Sequence, residues 1–379
     1  MKKLWIWIGI AVIVVLAILL GVTQTKKESE EIKIGAILTL SGEAALYGQS
    51  AKNAMEMGMD EINSNNFLNG KHLTLIFEDD QLDPKTGISA FRKLIDFDKV
   101  PVVLGPLTST VTLAIAPIAN ERKIVLLSPS ASSPAITTAG DFIFRNVASD
   151  EFETKVMADF AADSLKFEKV GILYINNDFG KGYKDYFTTF FTKKGGTVSI
   201  AETYEQNSSD FRSQLTKIKS SGVEALYLIG YKEMGIVLRQ AGELGVKTQV
   251  LSYSAIEDPD IILQAGKSAD GIIYTRQSFD PNDPDNIVNR FSSSYRKLYG
   301  KDPDAFAALS YDALMILSEA LKKGNNSESI RDALYSIKDF PGVTGMTSFD
   351  SNGDVNKSIS LKQIRNGSFI YLGKNYYTP

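Results

Sequence analysis

The residues best placed to do chemistry in this 379-residue chain are serines. Residues 127–134 read LSPSASSP, so the apolar run KIVLL stops in four serines, one alanine and two prolines. A second strand end, GPLTST at 105–110, has the same character. Ser and Pro are ordinary loop formers. They also suit an anion: small side chains let backbone N–H groups approach, and Ser109 opens the predicted helix TSTVTLAIAPIA, whose first N–H groups have no partner inside the helix. Nucleophilic use of a serine needs a base and a strained elbow. The chain has no cysteine and no GxSxG, and its one histidine, His72 in GKHLTL, reads as an exposed strand-entry residue.

Acidic clusters are the other candidates. EDDQLDP brings Asp79, Asp80 and Asp83 together, a pattern that fits a strand end followed by a helix cap better than a metal site. DSNGD at 350–354 has the look of a calcium loop, but Val355 and Leu361 stand where that motif requires Gly and Glu, so it reads as a turn. No metal and no cofactor is expected. The absence of cysteine excludes disulfides, thiolate metal sites and a lipid-modified cysteine. A net charge of -4 supplies no basic face for nucleic acid.

These residues must be held by an alternation of short β-rich runs and amphipathic helices. Strands are predicted at IKIGAILTL, HLTLIFEDD, VPVVLGP, KIVLLSP and FIFRNV, and again at KVGILYINN, TVSIAETYE, ALYLIGY, TQVLSYS and GIIYTRQ. Between them lie helices such as 84–98, opened by Asp83-Pro84. This is the signature of parallel sheets with crossover helices. The spacing from HLTL to VPVV to KIVL recurs from TVSI to EALY to TQVL, so two similar α/β lobes follow one another, the second starting near Lys169. Neither carries GxGxxG or GxxxxGK[ST], which argues against a nucleotide phosphate loop. Helices are then expected at 283–299, 303–323 and 328–338. A hairpin closes the chain at SISLKQIRNGSFIYL, with Asn366-Gly367 as its turn.

The N-terminus is MKK followed by 19 uncharged residues, Leu4 to Val22. As a helix this run spans about 29 Å, the thickness of a bilayer's hydrocarbon core. Lys2 and Lys3 keep that end in the cytoplasm, so the body lies outside the cell membrane. The run is read as a membrane anchor, with a cleaved signal peptide as the alternative. Its length exceeds a signal peptide's apolar region, and LLGVTQTKK offers only a weak small-x-small site. Residues 1–25 are thus anchor or signal, and 26–31 a spacer.

The chain resembles the leucine/isoleucine/valine-binding proteins of ABC transporters, which are type I periplasmic binding proteins related to bacterial amide sensors and to metabotropic glutamate receptor ectodomains. The resemblance covers about residues 32–375. It is carried by IKIGAILTLSGEAALYGQSAKNAMEMGMDEIN, EDDQLDP, GPLTSTVTLAIAPIANERKIVLLSPSASSP, FRNVASDEFE, NDFGKGY, DFRSQLTKIKSSGVEALYLIGYKEMGIVLRQAGELG and YGKDPDAFAALSYDAL.

The resemblance implies two doubly wound parallel-sheet lobes joined by three hinge crossings, near 147, 276 and 357. The lobes are 32–147 with 277–356, and 148–276 with 357–379. Ligand is held in the cleft between them, at the carboxyl ends of the strands, as open α/β sheets generally do. By the same resemblance Ser109 and Ser132 donate to a ligand carboxylate, and the Ser130 carbonyl accepts from its amine. Tyr47, Phe179, Tyr231 and Phe306 wall the ligand in. Where amino-acid binders carry an acid for the ligand ammonium, this chain has Ser254, and Glu257 and Asp258 read as the start of the following helix. The sequence therefore leaves open an amino acid and a carboxylate or neutral amide-like ligand. The implied partners are a small molecule, an ABC permease and, through the N-terminal helix, the membrane. The rival readings are a sensor for a separate membrane partner and a cleft hydrolase.

Overall fold

The computed structural model describes residues 30–377 apart from Glu43, Ser278 and Asn356. The apolar run Leu4 to Val22 lies outside the described residues, and among those described no helix is long and apolar enough to cross a membrane.

All ten runs read as strands form strands. The first five are β1 (Glu31–Leu38), β2 (His72–Asp79), β3 (Val102–Leu104), β4 (Val125–Ser128) and β5 (Ile143–Arg145). They make one parallel sheet in the order β2-β1-β3-β4-β5. Their side chains alternate between two cores, as the two-residue period of a strand requires. Ile34, Ala36, Val102 and Leu127 face the helices Ala45–Ser64 and Ala305–Leu321, whose Met55, Leu314 and Leu317 join the same cluster. Ile37, Val103 and Leu126 face Phe91, Leu94, Val111 and Ile115 of the helices Pro84–Asp96 and Ser109–Glu121. Burial on both faces is why β3 and β4 are nearly unbroken apolar runs.

The second sheet holds β6 (Lys169–Ile175), β7 (Thr197–Tyr204), β8 (Ala225–Ile229), β9 (Gln249–Tyr253) and β10 (Ile273–Gln277), all parallel. After a small two-stranded sheet, β11 (Phe340–Gly342) with β12 (Gly345–Thr347), the chain returns as the hairpin β13 (Ile359–Arg365) and β14 (Ser368–Tyr377). The full order is β14-β13-β10-β9-β8-β6-β7. Asn366 and Gly367 both take positive φ, 50° and 72°, as a two-residue hairpin turn demands. Because β13 runs antiparallel to β10, the closing hairpin adds an antiparallel edge to five parallel strands.

Helix ends follow their caps. Asp83 accepts from the Thr86 N–H at 2.8 Å and starts the helix at Pro84. The helix expected from 283 begins instead at Asn286, because the Asp285 carboxylate accepts from the Ile287 N–H at 2.8 Å while Asp283 is used in the preceding turn. Asp304 caps Ala305–Leu321 through the Ala307 N–H at 2.8 Å. In EDDQLDP, Asp79 accepts from the Leu40 and Gln81 N–H groups, and Asp80 from the Thr39 hydroxyl and the Leu82 N–H. In DSNGD, Asp350 accepts from the Asn352 and Asp354 N–H groups. Both clusters are the turn and cap devices the sequence suggested. His72 is exposed at the first position of β2.

Candidate functional site

In each sheet the strand order reverses direction beside the first strand of its lobe, between β1 and β3 and between β6 and β8. Crevices at the carboxyl ends of strands flanking such a point are the general ligand sites of open α/β sheets. Here one cavity is lined from both sheets at once. Residues following β1, β3, β4 and β5 supply Thr39, Thr108, Ser109, Ser130, Ser132 and Val147. Those following β6 and β8, with the end of β9, supply Phe179, Tyr183, Tyr231, Tyr253 and Ser254. It measures about 70 Å³ in the space open to water centres. That is room for roughly five waters, so for a small solute. All eight residues singled out from sequence line it: Tyr47, Ser109, Ser130, Ser132, Phe179, Tyr231, Ser254 and Phe306.

The serine-rich strand end divides its labour. Ser128 donates to the Pro106 carbonyl at 2.5 Å and accepts from the Ala131 N–H at 2.9 Å, and Ser130 donates to the Leu107 carbonyl at 2.8 Å. These two hydroxyls stitch the loop after β4 to the loop after β3. Ser133 caps the short helical turn Pro134–Thr138. Ser109 accepts from the Ser133 N–H at 3.0 Å, which leaves its own O–H to donate elsewhere. Ser109 and Ser132 are both buried in the lining. Ser109 is also the first residue of a 13-residue helix, so the free N–H groups of that terminus lie at the same wall. The backbone approaches closely here: at Gly105, with φ of +94°, a Cβ would lie 2.0 Å from the Ile37 carbonyl oxygen.

Aromatic rings close the remainder. Tyr47 and Phe306 stack at 4.4 Å between centroids with 17° between planes, and Phe179 stacks on Tyr231 at 5.7 Å and 16°. Tyr253 leans on Phe179 at 5.2 Å and donates its hydroxyl to the Gly230 carbonyl at 2.8 Å. Tyr47 reaches its place because the next residue is glycine: a Cβ on Gly48 would lie 1.8 Å from the Thr39 carbonyl oxygen at the end of β1.

Among the described lining residues one carries a charge, and it was not singled out from sequence. Glu153, in the first turn of the helix Asp150–Asp159, is 7% exposed and accepts from the Tyr183 hydroxyl at 2.6 Å through Oε2. Its Oε1 has no hydrogen-bond partner among the described residues. Burial pushes its carboxyl above the usual range, against the opposing pull of the Tyr183 and Thr275 hydroxyls. Ser254 lines the cavity as expected. Glu257 is committed elsewhere, 2.6 Å from Arg276 and 3.2 Å from Lys362. Burial would raise its pKa, but those two cations outweigh burial and hold it below the usual range. Asp258 caps the helix Pro259–Ala265 by accepting from the Asp260 N–H at 2.8 Å, as expected, whereas Glu257 ends the short turn Ser254–Glu257 before it and does not open that helix. Tyr183 was legible in principle, being four residues from Phe179 on one helix face. Thr39, Thr108 and Tyr253 adjoin elements already identified.

The chain is matched over residues 31–368 by the family model described as periplasmic binding protein. It is 27% identical over 346 residues to the Leu/Ile/Val-binding protein BraC3 of Rhizobium johnstonii, covering 90% of this chain and 93% of the relative. The crystal structure of a leucine binding protein from Thermotoga maritima superposes with a TM-score of 0.84 at 28% identity, over 90% of this chain and 98% of that one. A branched-chain amino acid transporter substrate binding protein from Streptococcus pneumoniae, solved in complex with isoleucine, gives 0.83 at 29% identity, over 90% and 99%.

Proposed function

We propose, from the premise that this chain belongs to the periplasmic binding protein family, that its cavity captures a small carboxylate-bearing ligand and that lobe closure presents the ligand to an ABC importer. The protein is a solute-binding protein of type I architecture and works outside the cytoplasm. The observation that carries the ligand class is the pairing, in one cavity, of a free helix N-terminus and two serine hydroxyls with six large aromatic side chains. The first set suits an anion in a site sheltered from water. The second suits an apolar body of limited size.

In this reading Ser109 and Ser132 donate to the carboxylate, the Ser130 carbonyl and Ser254 face the polar end, and Tyr47, Phe179, Tyr231 and Phe306 cover the rest. The lobes are 32–147 with 277–356, and 148–276 with 357–379. Supporting that division, β1 to β5 belong to one sheet, while β6 to β10 and the closing hairpin belong to the other. The task is binding rather than catalysis: His72, the chain's one histidine, lies outside the described lining, so no serine there has a histidine base. Leu4 to Val22 tethers the body to the membrane, beside the permease.

A thermal-shift screen of small carboxylates, amino acids and uncharged solutes tests the reading. A true ligand at about 100 times its Kd adds about 2.7 kcal/mol of stability. Stabilisation by uncharged solutes alone, with no carboxylate active, refutes it.

A further inference from the structure

Beside the ligand cavity lies a second, larger space of about 690 Å³ on the same measure. It too is lined from both sheets, by Leu46 and Ser50 after β1 and by Glu257 and Asp258 after β9. Tyr47, Ser254, Ala305 and Phe306 line both spaces, so the Tyr47–Phe306 stack stands between them. The ring of Tyr47 is accounted for as a wall of the inner cavity, but its hydroxyl is not. Tyr47 is 8% exposed, and its hydroxyl is buried with no hydrogen-bond partner among the described residues. Asp258 is 6% exposed: Oδ1 caps the following helix, while Oδ2 is buried and likewise unpartnered. A buried donor or acceptor left unmade is costly, and here one of each arises from opposite sheets at the edge of the same space. Resting on the reading of the inner cavity as the ligand site, we propose that Tyr47 and Asp258 are a latch. On full closure the Tyr47 O–H donates to Asp258 Oδ2 and seals the inner cavity from the outer space, through which the ligand enters and leaves.

The surroundings single out this pair. Burial, then the Asp258 carboxylate, pushes the Tyr47 hydroxyl well above its ordinary range, and the Tyr47 hydroxyl is among the groups that oppose the upward push of burial on Asp258. The other acids that line the outer space are engaged: Glu257 with Arg276 and Lys362, Asp280 with the Asn282 N–H, Asp302 with Arg296, and Asp304 with the Ala307 N–H. The unpartnered Arg276 Nε does not compete for Asp258, because Glu257 holds the same guanidinium at 2.8 and 2.6 Å. A contact between the two sheets exists only when they approach, so it contributes to the closed state alone, which a bond within one lobe cannot do.

Stopped-flow kinetics on the full-length protein in detergent test the latch, with the tightest binder of a small-carboxylate panel that includes L-valine and 3-methylbutanoate as probe. Tyr47→Phe keeps the ring and removes the hydroxyl, and Asp258→Ser keeps a capping oxygen and removes the second one. Each raises the probe's off-rate on the order of tenfold to a hundredfold and leaves the on-rate unchanged. The double variant releases no faster than the faster single one, because both remove the same contact. A wild-type off-rate in Tyr47→Phe overturns the latch. So does a double variant whose effect is the product of the two single effects, since the hydroxyl then acts on the probe and Asp258 on its helix alone. In both cases the probe still binds and the cavity's role stands. Binding of no small carboxylate by wild type removes the cavity reading and the latch with it.

Discussion

Ser109→Ala should damage binding and stability by separate and separable amounts. The hydroxyl oxygen accepts from the buried Ser133 N–H at 3.0 Å, and its hydrogen is free to donate to a ligand carboxylate. Losing a hydrogen bond to a charged group costs about 1.5–3 kcal/mol, a factor of roughly 10 to 150 in Kd. Leaving the Ser133 N–H without an acceptor costs about 1–3 kcal/mol of folding stability, a fall of a few degrees in Tm. Ser132→Ala provides the contrast. The Ser132 backbone carbonyl accepts from Arg145 at 3.0 Å and from the Asp150 N–H and survives the substitution, so affinity should fall with no backbone group left unpaired, and any loss of stability traces to the hydroxyl's pull on the buried Asp150 carboxylate. Calorimetry with the best ligand and thermal unfolding without ligand read the two effects independently. If Ser109→Ala lowers Tm but leaves Kd unchanged, the hydroxyl only braces the loop, and the assignment of this strand end to the carboxylate is refuted.

Two further outcomes follow from the buried acid and the apolar N-terminus. Asp150 is fully buried with both carboxylate oxygens unpartnered among the described residues, and burial, with Glu153 adding to it, raises its pKa against the pull of Ser132 and Arg145. A carboxyl raised in the folded state binds more protons folded than unfolded between its ordinary value of about 3.8 and the raised one, so stability falls as pH climbs through that window. Asp150→Asn should therefore raise Tm at pH 7 and lose its advantage near pH 4. A variant less stable than wild type at pH 7 would show that Arg145 more than compensates the burial. For the N-terminus, protease applied to cells stripped of any outer barrier should remove the body and leave a short membrane-embedded stub. A soluble product beginning near residue 24 means a cleaved signal peptide instead.

Much of the scaffold was legible because parallel strands buried on both faces leave an unambiguous mark. VPVVLG and KIVLLS can hardly be anything else, and the steps between them fix where the crossover helices fall. The hairpin was legible from two residues, Asn366 and Gly367, since few other pairs tolerate consecutive positive φ. What period and propensity could not show was which end of an acid-rich helix faces the cavity. Asp150, Glu151 and Glu153 all read as favourable charge on a helix N-terminus, and their separate fates depend on how the chain turns after β5. Glu151 is exposed, Asp150 is enclosed beside Arg145, and Glu153 reaches the cavity. The one carboxylate in the described lining comes from a segment about a hundred residues before Ser254, so TQVLSYSAIEDPD carries no signal of it.

The same segment links the site to the joints between the lobes. Arg145, the last residue of β5, is fully buried and donates to the Ser132 and Ser133 carbonyls at 3.0 and 2.9 Å, and to Asp354 at 2.6 Å. Its own N–H donates to the Gly353 carbonyl, and the neighbouring Asn146 side chain to the Leu309 carbonyl at 2.9 Å. One guanidinium thus fixes the peptide planes that border the carboxylate site. It also pins residues just before two of the proposed crossings, near 147 and 357. A ligand can shift the open and closed populations only by the difference in its affinity for them. Ser132, Ser133, Arg145 and Asp354 all fall within one proposed lobe, so this network positions the donors alike in both states and leaves that difference to side chains the second sheet brings to the cavity, Phe179 and Tyr231 among them.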